Sequence, residues 1–557
     1  MTPTANRALV AFVLLCAGGC GDSLITQAPG SPDDPAADSE FDEGPDNPGP
    51  GDVTAEDTSP AEPNHSPLPG NVPLAANPNC KSSRLFGKDG ELRASAGRII
   101  DAGFAGYHSG LDPIPNVAGP IKSVLDFGAT ANDTQDDTAA FQAAIGATTS
   151  GVLFVPAGRY IITKRLQFKK SNVVFRGAGQ GQTVLFMPKS LGDIDGITFN
   201  GNGATQFSFG DAFLKANGSD SGARLASISA NVARGNKVLK VSTTTGISVG
   251  QVVRVVQKDA GGTLFGALHG GQFPGNVGED GGKEVFHFYA KVKAIGSKQI
   301  TLERPLPFEV DTRWTPEVRA ARPSMREFGI ENMTLEFAGS VYPGHFKEHG
   351  FNGIQLSGLQ DSWVRNVQIL NADYGITLNG CFFSTVTDIV LDATFDRGPL
   401  VGHHGLNSSS GNDLLFTRFD VRKKFVHDLT VDGYAMGTVW SNGKGVDLNM
   451  DHHGRAPYGT LWSNLDMGQG KRPFGSGGSS NRLPHSAAFS TFWNLTARNN
   501  MKLPPADFGP LLNFISVKGI TSATGGRADW SVENIAATDL CQPDLHAFAQ
   551  AQRKAAP

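Results

Sequence analysis

Two kinds of short apolar segment recur along this chain from Met325 onward, each too short to bury its own apolar face. The first kind includes Phe328-Gly-Ile-Glu-Asn-Met-Thr-Leu335, Trp363-Val-Arg-Asn-Val-Gln-Ile369, Thr385-Val-Thr-Asp-Ile-Val-Leu391, Phe425-Val-His-Asp-Leu-Thr-Val431, Leu461-Trp-Ser-Asn-Leu465 and Phe492-Trp-Asn-Leu495. The second opens with glycine: Gly353-Ile-Gln-Leu356, Gly375-Ile-Thr-Leu378 and Gly437-Thr-Val-Trp440. Gly353 and Gly375 lie 22 residues apart, about one coil of a solenoid, and longer steps read as loops protruding from the coils. The runs of Val, Ile, Leu, Phe and Trp suit buried parallel strands. Function on such a scaffold is expected on the loops of one side.

Between about 203 and 319 the pattern changes. Asn236–Ser242, Val252–Val256, Tyr289–Ile295 and Gln299–Glu303 alternate as antiparallel strands do, which predicts a β insertion packed beside the solenoid and helping to wall its groove. Upstream, the chain reads as a short strand ending at Asp126-Phe127 and a turn at Gly128. A helix over Thr138–Ile145 follows, with Asp136 and Asp137 as anionic caps. Gly151-Val-Leu-Phe-Val-Pro-Ala-Gly-Arg-Tyr-Ile-Ile162 gives two strands around a Pro-Ala-Gly turn, and Asn172–Phe186 gives two more.

This ordered set resembles the first turns of pectate-lyase-like parallel β-helices, most of all the rhamnogalacturonase and epimerase-like branch. The resemblance implies an all-β fold: a right-handed single-stranded parallel β-helix with an N-terminal cap helix, here with an antiparallel β insertion. The helix would shield the open end of the sheet from edge pairing. The fold hosts lyases, hydrolases, epimerases and phage tail proteins, so chemistry has to be argued from the site.

Residues 1–20 read as a secretion signal, with Arg7 before an apolar stretch, Ala8–Ala17, too short to span a bilayer. Ala17-Gly-Gly-Cys20 resembles a bacterial lipobox with alanine where leucine is usual, so Cys20 is the expected lipidation site. An exported protein follows, either a cell-envelope lipoprotein or secreted, meeting membrane only through that anchor. Residues 21–79 hold twelve acidic residues and no Lys or Arg, the composition of a disordered, self-repelling linker. The expected domain is 80–557. With one basic and twelve acidic residues in 1–79, against 48 and 53 in the whole chain, it carries 47 and 41, a net of +6. That charge fits an acidic polysaccharide as partner, and ordinary surface charge equally; nucleic acid is not expected. Cys80 and Cys541 bracket the domain and predict a disulfide, with Cys381 buried and free. No cysteine pair has metal-ligand spacing, and no structural metal is expected.

Histidine placement is the clearest chemical signal. Six of the 13 histidines (403, 404, 427, 452, 453 and 485) fall within 396–485. His345 and His349 precede them in Gly344-His-Phe-Lys-Glu-His-Gly350. In Val446-Asp-Leu-Asn-Met-Asp451, alternation puts Asp447, Asn449 and Asp451 on one face and the apolar residues on the other. His452-His-Gly-Arg455 and Tyr458 follow at once. The candidate catalytic set is therefore His427, Asp447, Asp451, His452, His453, Arg455 and Tyr458. The candidate substrate-binding set is His345, His349, Arg397, His403, His404, Lys424, Lys444, Trp440 and His485, with Tyr434, Tyr458 and Trp462 as further flat faces for sugar rings.

Such a set suits proton abstraction beside a carboxylate. A cation neutralises the uronate, an imidazole takes the C5 proton, and a second group protonates the leaving oxygen. The reading is a polysaccharide lyase acting on a uronate-containing glycan by β-elimination. A glycoside hydrolase and a non-catalytic glycan-binding protein are the alternatives. The hydrolase branch of the resembling family carries Asn-Thr-Asp, Asp-Asp, His-Gly and Arg-x-Lys in turn. His404-Gly405 and Arg422-Lys-Lys424 match the last two, and the coils lack the first two. No cofactor is required by this reading, with calcium on Asp447, Asn449 and Asp451 as an admissible addition. Histidines as zinc or iron ligands are a minor option. Gly470–Arg482 reads as a basic loop, either folding over a polyanion or solvated.

Overall fold

The computed structural model describes residues 79–86, 97–118, 121–258, 263–271, 284–478 and 487–555. The signal, Cys20, nearly all of the linker and His485 lie outside the described residues.

The strands stack coil upon coil in parallel register. Among the described residues one sheet holds fifteen strands and a second holds eight. A third side is a ladder of single parallel bridges through Gln360, Phe382, Asn412, Met436, Tyr458 and Ala488. Val364, Ile376, Leu406, Phe416, Leu429, Trp440 and Met450 share the enclosed core. Stacked aromatics extend it along the axis, with Trp440 4.1 Å from Phe416 and 5.2 Å from Trp462 between centroids.

Two local devices make the coil. Asn332, Asn366, Asp388, Asn464 and Asn494 occupy equivalent corners with φ between 54° and 62°, a region that asparagine and aspartate tolerate better than other L-residues. Their amides also bond from coil to coil, Asn366 Nδ2 to Asn332 Oδ1 at 2.8 Å and Asn494 Nδ2 to Asn464 Oδ1 at 3.0 Å. At the start of the second sheet, a Cβ on Gly353, Gly375 or Gly405 would stand 2.5, 2.3 or 2.6 Å from a carbonyl oxygen of the next coil. Glycine there lets the backbones approach.

The expected architecture holds, with local corrections. Ile121–Ser123 is the strand, and Val124–Phe127 is a 3-10 turn. Phe425–Val431 belongs to the second sheet, as His427–Asp432, and Val439–Ser441 to the first, so these two segments exchange places. The helix runs Thr138–Ala147 and buries Phe141, Ala144 and Ile145. Asp136 caps it, accepting from the Thr138 N–H at 3.0 Å. Asp137 instead accepts from the N–H groups of Thr130 and Ile161, tying turn to strand.

The insertion is a six-stranded antiparallel sheet between Arg224 and Ala320. Its core joins Met436, Ala456, Tyr458 and Phe489 of the third side. It therefore stands past the C-terminal ends of the second-sheet strands, whereas the candidate groove gathers at their N-terminal starts.

Cys80 and Cys541 form a disulfide, and Lys81 bridges Leu540 beside it; Cys381 is free and buried. Closing so long a loop constrains the unfolded chain strongly. Cys541→Ser should lower unfolding free energy by about 2–4 kcal/mol, read by denaturant titration under oxidising conditions. An unchanged midpoint would mean that the ends stay docked without it.

Candidate active site

Three strands of the second sheet start in register, Tyr374 pairing with His404 and His404 with His427. Their rings stack, His404 lying 4.7 Å from Tyr374 and 4.7 Å from His427 between centroids. One coil further, Thr430 pairs with Asp451. Leu429 and Met450 enter the core, so Thr430 and Asp451 turn outward.

Asp451 organises the outer face. Its Oδ2 meets His427 Nδ1 at 3.1 Å and His453 Nδ1 at 2.8 Å, and its Oδ1 accepts from the Gly477 N–H at 2.9 Å. Burial alone would raise this carboxyl; the His427 and His453 imidazoles and the hydrogen bonds hold it well below the usual carboxylate range. His404 Nδ1 lies 2.9 Å from Thr430 Oγ1. Burial, then neighbouring imidazoles, push His403 and His404 far below the ordinary histidine value, so both are neutral at pH 7.

A second line of groups leads outward from a buried acid. Glu348 accepts from the Tyr342 hydroxyl at 2.6 Å and from the Ser208 hydroxyl. Burial raises its carboxyl despite these bonds. His403 Nδ1 stands 3.6 Å from Glu348 Oε1, and His403 Nε2 stands 2.9 Å from His345 Nε2. His345 is partly exposed, stacked at 3.7 Å on Phe346. The loop that carries it is pinned by Asp373. That carboxylate accepts three N–H bonds at 3.1 Å, from His349, Gly350 and Phe351, and one from Arg397 Nη2 at 2.6 Å.

The structure thus gathers His345, His403, His404, His427, His453 and Asp451, and takes other predicted residues elsewhere. The alternation that turns Asp451 and His453 outward turns His452 inward. It packs against Trp462 and Phe508, and burial pushes its imidazole down to about 3. Arg455 and Tyr458 lie past the strand end, facing the insertion. Arg455 covers the Tyr434 ring at 5.9 Å, and the Tyr458 hydroxyl donates to the Pro307 carbonyl at 3.1 Å. Trp440 and Trp462 are core, and Tyr434 packs against Phe265, so none of the four aromatics offers a face to this site. Lys444 leaves from the first sheet toward Asp420 at 3.6 Å. Arg397 is wholly buried on Asp373, a structural pair. His349 joins through its backbone, its N–H bonding Asp373 and its carbonyl accepting from Gly192. Asp447 accepts from the Lys471 N–H at 2.9 Å, and Asn449 donates to the Arg472 carbonyl at 3.1 Å. With Asp451 committed to imidazoles, the three do not form an oxygen cage for calcium. Glu348, Asp373 and Thr430 were not legible as site residues, for nothing in their spacing marks burial.

A cleft of about 380 Å³ is walled by Arg422, Lys423, Lys424, Lys471 and Arg498 with Asp447 among its lining, and none of the clustered imidazoles lines it. Val401 on its wall lies two residues before His403. A larger cleft of about 620 Å³ sits near the cap helix, lined by Lys164, Arg165, Lys169 and Lys170. Neither cleft is lined by the clustered imidazoles, but Val401 ties the smaller one to His403 along the chain.

Residues 121–287 match the model of the family described as rhamnogalacturonase A/epimerase, pectate lyase-like. The protein is a parallel β-helix, and over this stretch it is similar to that family. Mannuronan C5-epimerase AlgE3 of Azotobacter vinelandii is 38% identical to this β-helix protein over 98 residues, which is 16% of this chain and 5% of the epimerase. Among solved structures, the tailspike gp49 of Pseudomonas phage LKA1 aligns with TM-score 0.44 and 12% identity over 73% of this chain and 69% of its own. An exopolygalacturonase from Thermotoga maritima aligns with TM-score 0.35 and 13% identity, over 73% and 89%.

Proposed function

We propose that this β-helix protein removes the C5 proton of a uronate residue in an acidic glycan and breaks the chain by β-elimination. The observation that carries the reading is a partly exposed imidazole, His345, backed by His403 and buried Glu348, on a protein whose cleft walled by five cations begins two residues before His403, at Val401. Substrate carboxylates would lie against Lys423, Lys424 and Lys471, which lowers the cost of negative charge developing at C5. His345 takes the C5 proton, the C4–O bond breaks as the C4–C5 double bond forms, and the imidazolium, with His403 and Glu348 behind it, returns its proton to the leaving oxygen. Hydrolysis fits less well. It needs two carboxyl groups flanking one bond, and here Asp373, Asp428 and Asp451 are each bound to a base.

Epimerisation is the second reading, favoured by the segment shared with mannuronan C5-epimerases. It begins with the same proton abstraction and returns a proton instead of expelling the leaving group. Incubation with uronate polymers in heavy water separates the outcomes. Elimination gives new ultraviolet absorbance from the unsaturated product; epimerisation gives deuterium at C5 without it. New reducing ends with neither signal would overturn both. The double variant Lys423→Glu/Lys424→Glu should lower kcat/KM by roughly tenfold or more, with most of the loss in KM and a flatter salt dependence.

A further inference from the structure

We propose that His404, His427 and His453 bind one late first-row transition-metal ion, with zinc the best match. One ring nitrogen from each of the three lies within 4.8 Å of the others. The rings are buried and come from three successive coils, with His404 and His427 in direct strand register. Stacked backbones, not a mobile loop, set the spacing of two ligands.

The surroundings of the rings point the same way. Nδ1 of His427 and of His453 both face Asp451 Oδ2, at 3.1 and 2.8 Å, and Nδ1 of His404 faces Thr430 Oγ1 at 2.9 Å. An imidazole that gives its Nδ1–H to oxygen carries its lone pair on Nε2. Metal-binding histidines are nearly always oriented in this way, by a carboxylate, carbonyl or hydroxyl behind the ring. Here one carboxylate orients two rings, itself fixed by the Gly477 N–H. A Cβ on Gly477 would stand 2.6 Å from His453 Nδ1, so the covering backbone needs glycine to come this close.

The rival account is a buried ionic cluster of Asp451 with protonated imidazoles. It explains His427 and His453 and gives the His404 ring only its stacking on Tyr374 and its contact with Thr430. Three imidazoles with centroids 4.7 to 5.4 Å apart repel when protonated, and a cation shared by neutral rings removes that repulsion. A set of nitrogen donors selects zinc, cobalt, nickel, copper or iron over calcium and magnesium, which take oxygen. Three protein ligands leave a coordination position open, as in catalytic rather than structural zinc sites. His403 flanks this side, 4.2 Å from His404 and 5.4 Å from His427 between centroids. When bound, the ion would supply a Lewis acid beside the His345–His403 pair. The proposal does not depend on that use, because binding is read without substrate.

Full-length protein stripped with chelator and dialysed against zinc should retain about one equivalent by elemental analysis. Cobalt in place of zinc should give the visible bands of a low-symmetry nitrogen site. His404→Gln and His453→Gln should each lower zinc affinity at least 100-fold, and Asp451→Asn about 10- to 100-fold. Zinc should raise the melting temperature of the wild type and of His345→Gln, which keeps all three ligands. The proposal is overturned if stripped wild type takes up no zinc or cobalt, or if the variants, checked as folded by circular dichroism, bind as well as wild type. Loss of activity in His345→Gln with zinc retained would support proton abstraction separately. Zinc bound without activity on any uronate polymer would sink the functional reading and leave the metal site standing.

Discussion

His345→Gln should lower kcat/KM on a uronate polymer by roughly 10²- to 10⁴-fold, the span expected when a positioned base is removed. Glutamine keeps the bulk and a hydrogen-bonding head but cannot take the proton. The ring is partly exposed and rests on Phe346, so folding stability should move by less than about 1 kcal/mol. The loss should appear in kcat, because cleft cations rather than His345 bind the polymer. His403→Gln should follow in part, since it removes the link to Glu348 and not the base itself. Near-normal turnover in His345→Gln would remove the base assignment.

Asp373→Ala should be the most destabilising single change near the site, at about 3–5 kcal/mol. Asp373 and Arg397 are both fully buried, and truncating the acid leaves a guanidinium without its counter-charge in a dry interior. Three backbone N–H groups lose their acceptor as well. Those N–H groups begin the segment just after His345, so the folded variant should also lose kcat through a misplaced loop. Asp373→Leu with Arg397→Met, which removes both charges, should recover much of the stability and none of the activity. Denaturant titration and single-turnover rates at low temperature separate the two effects. A loss below about 1 kcal/mol for Asp373→Ala would show that water reaches Arg397 after all.

Repetition made the solenoid legible, because apolar strands at coil spacing have to stack to be covered. It did not say which sheet a segment joins. Phe425–Val431 and Val439–Ser441 are both short and largely apolar, and only their place in the coil sorts them into the second and the first sheet. The alternation through Val446–Asp451 correctly turned Asp451 outward, and one more step explains why His452 is core while His453 is not. Arg455 and Tyr458 were drawn into the site by nearness in sequence. A coil turns away at each corner, so residues four to seven positions past Asp451 face another side.

The chain by itself determined the stacked-coil fold, the antiparallel insertion, the terminal disulfide and a concentration of histidine on a few coils. Those follow from local period, composition and spacing. Only the tertiary structure decided which histidines meet. Coil stacking brings His345, His403, His404, His427 and His453 together across more than a hundred residues of chain, and no local period records a contact made between coils. It also decided the roles of the charged groups. Arg397 and Asp373 neutralise each other in the interior, Glu348 stands behind His403, and Asp451 holds two imidazoles. Burial and partner set what each of these groups can do, and neither is written in its own neighbours along the chain.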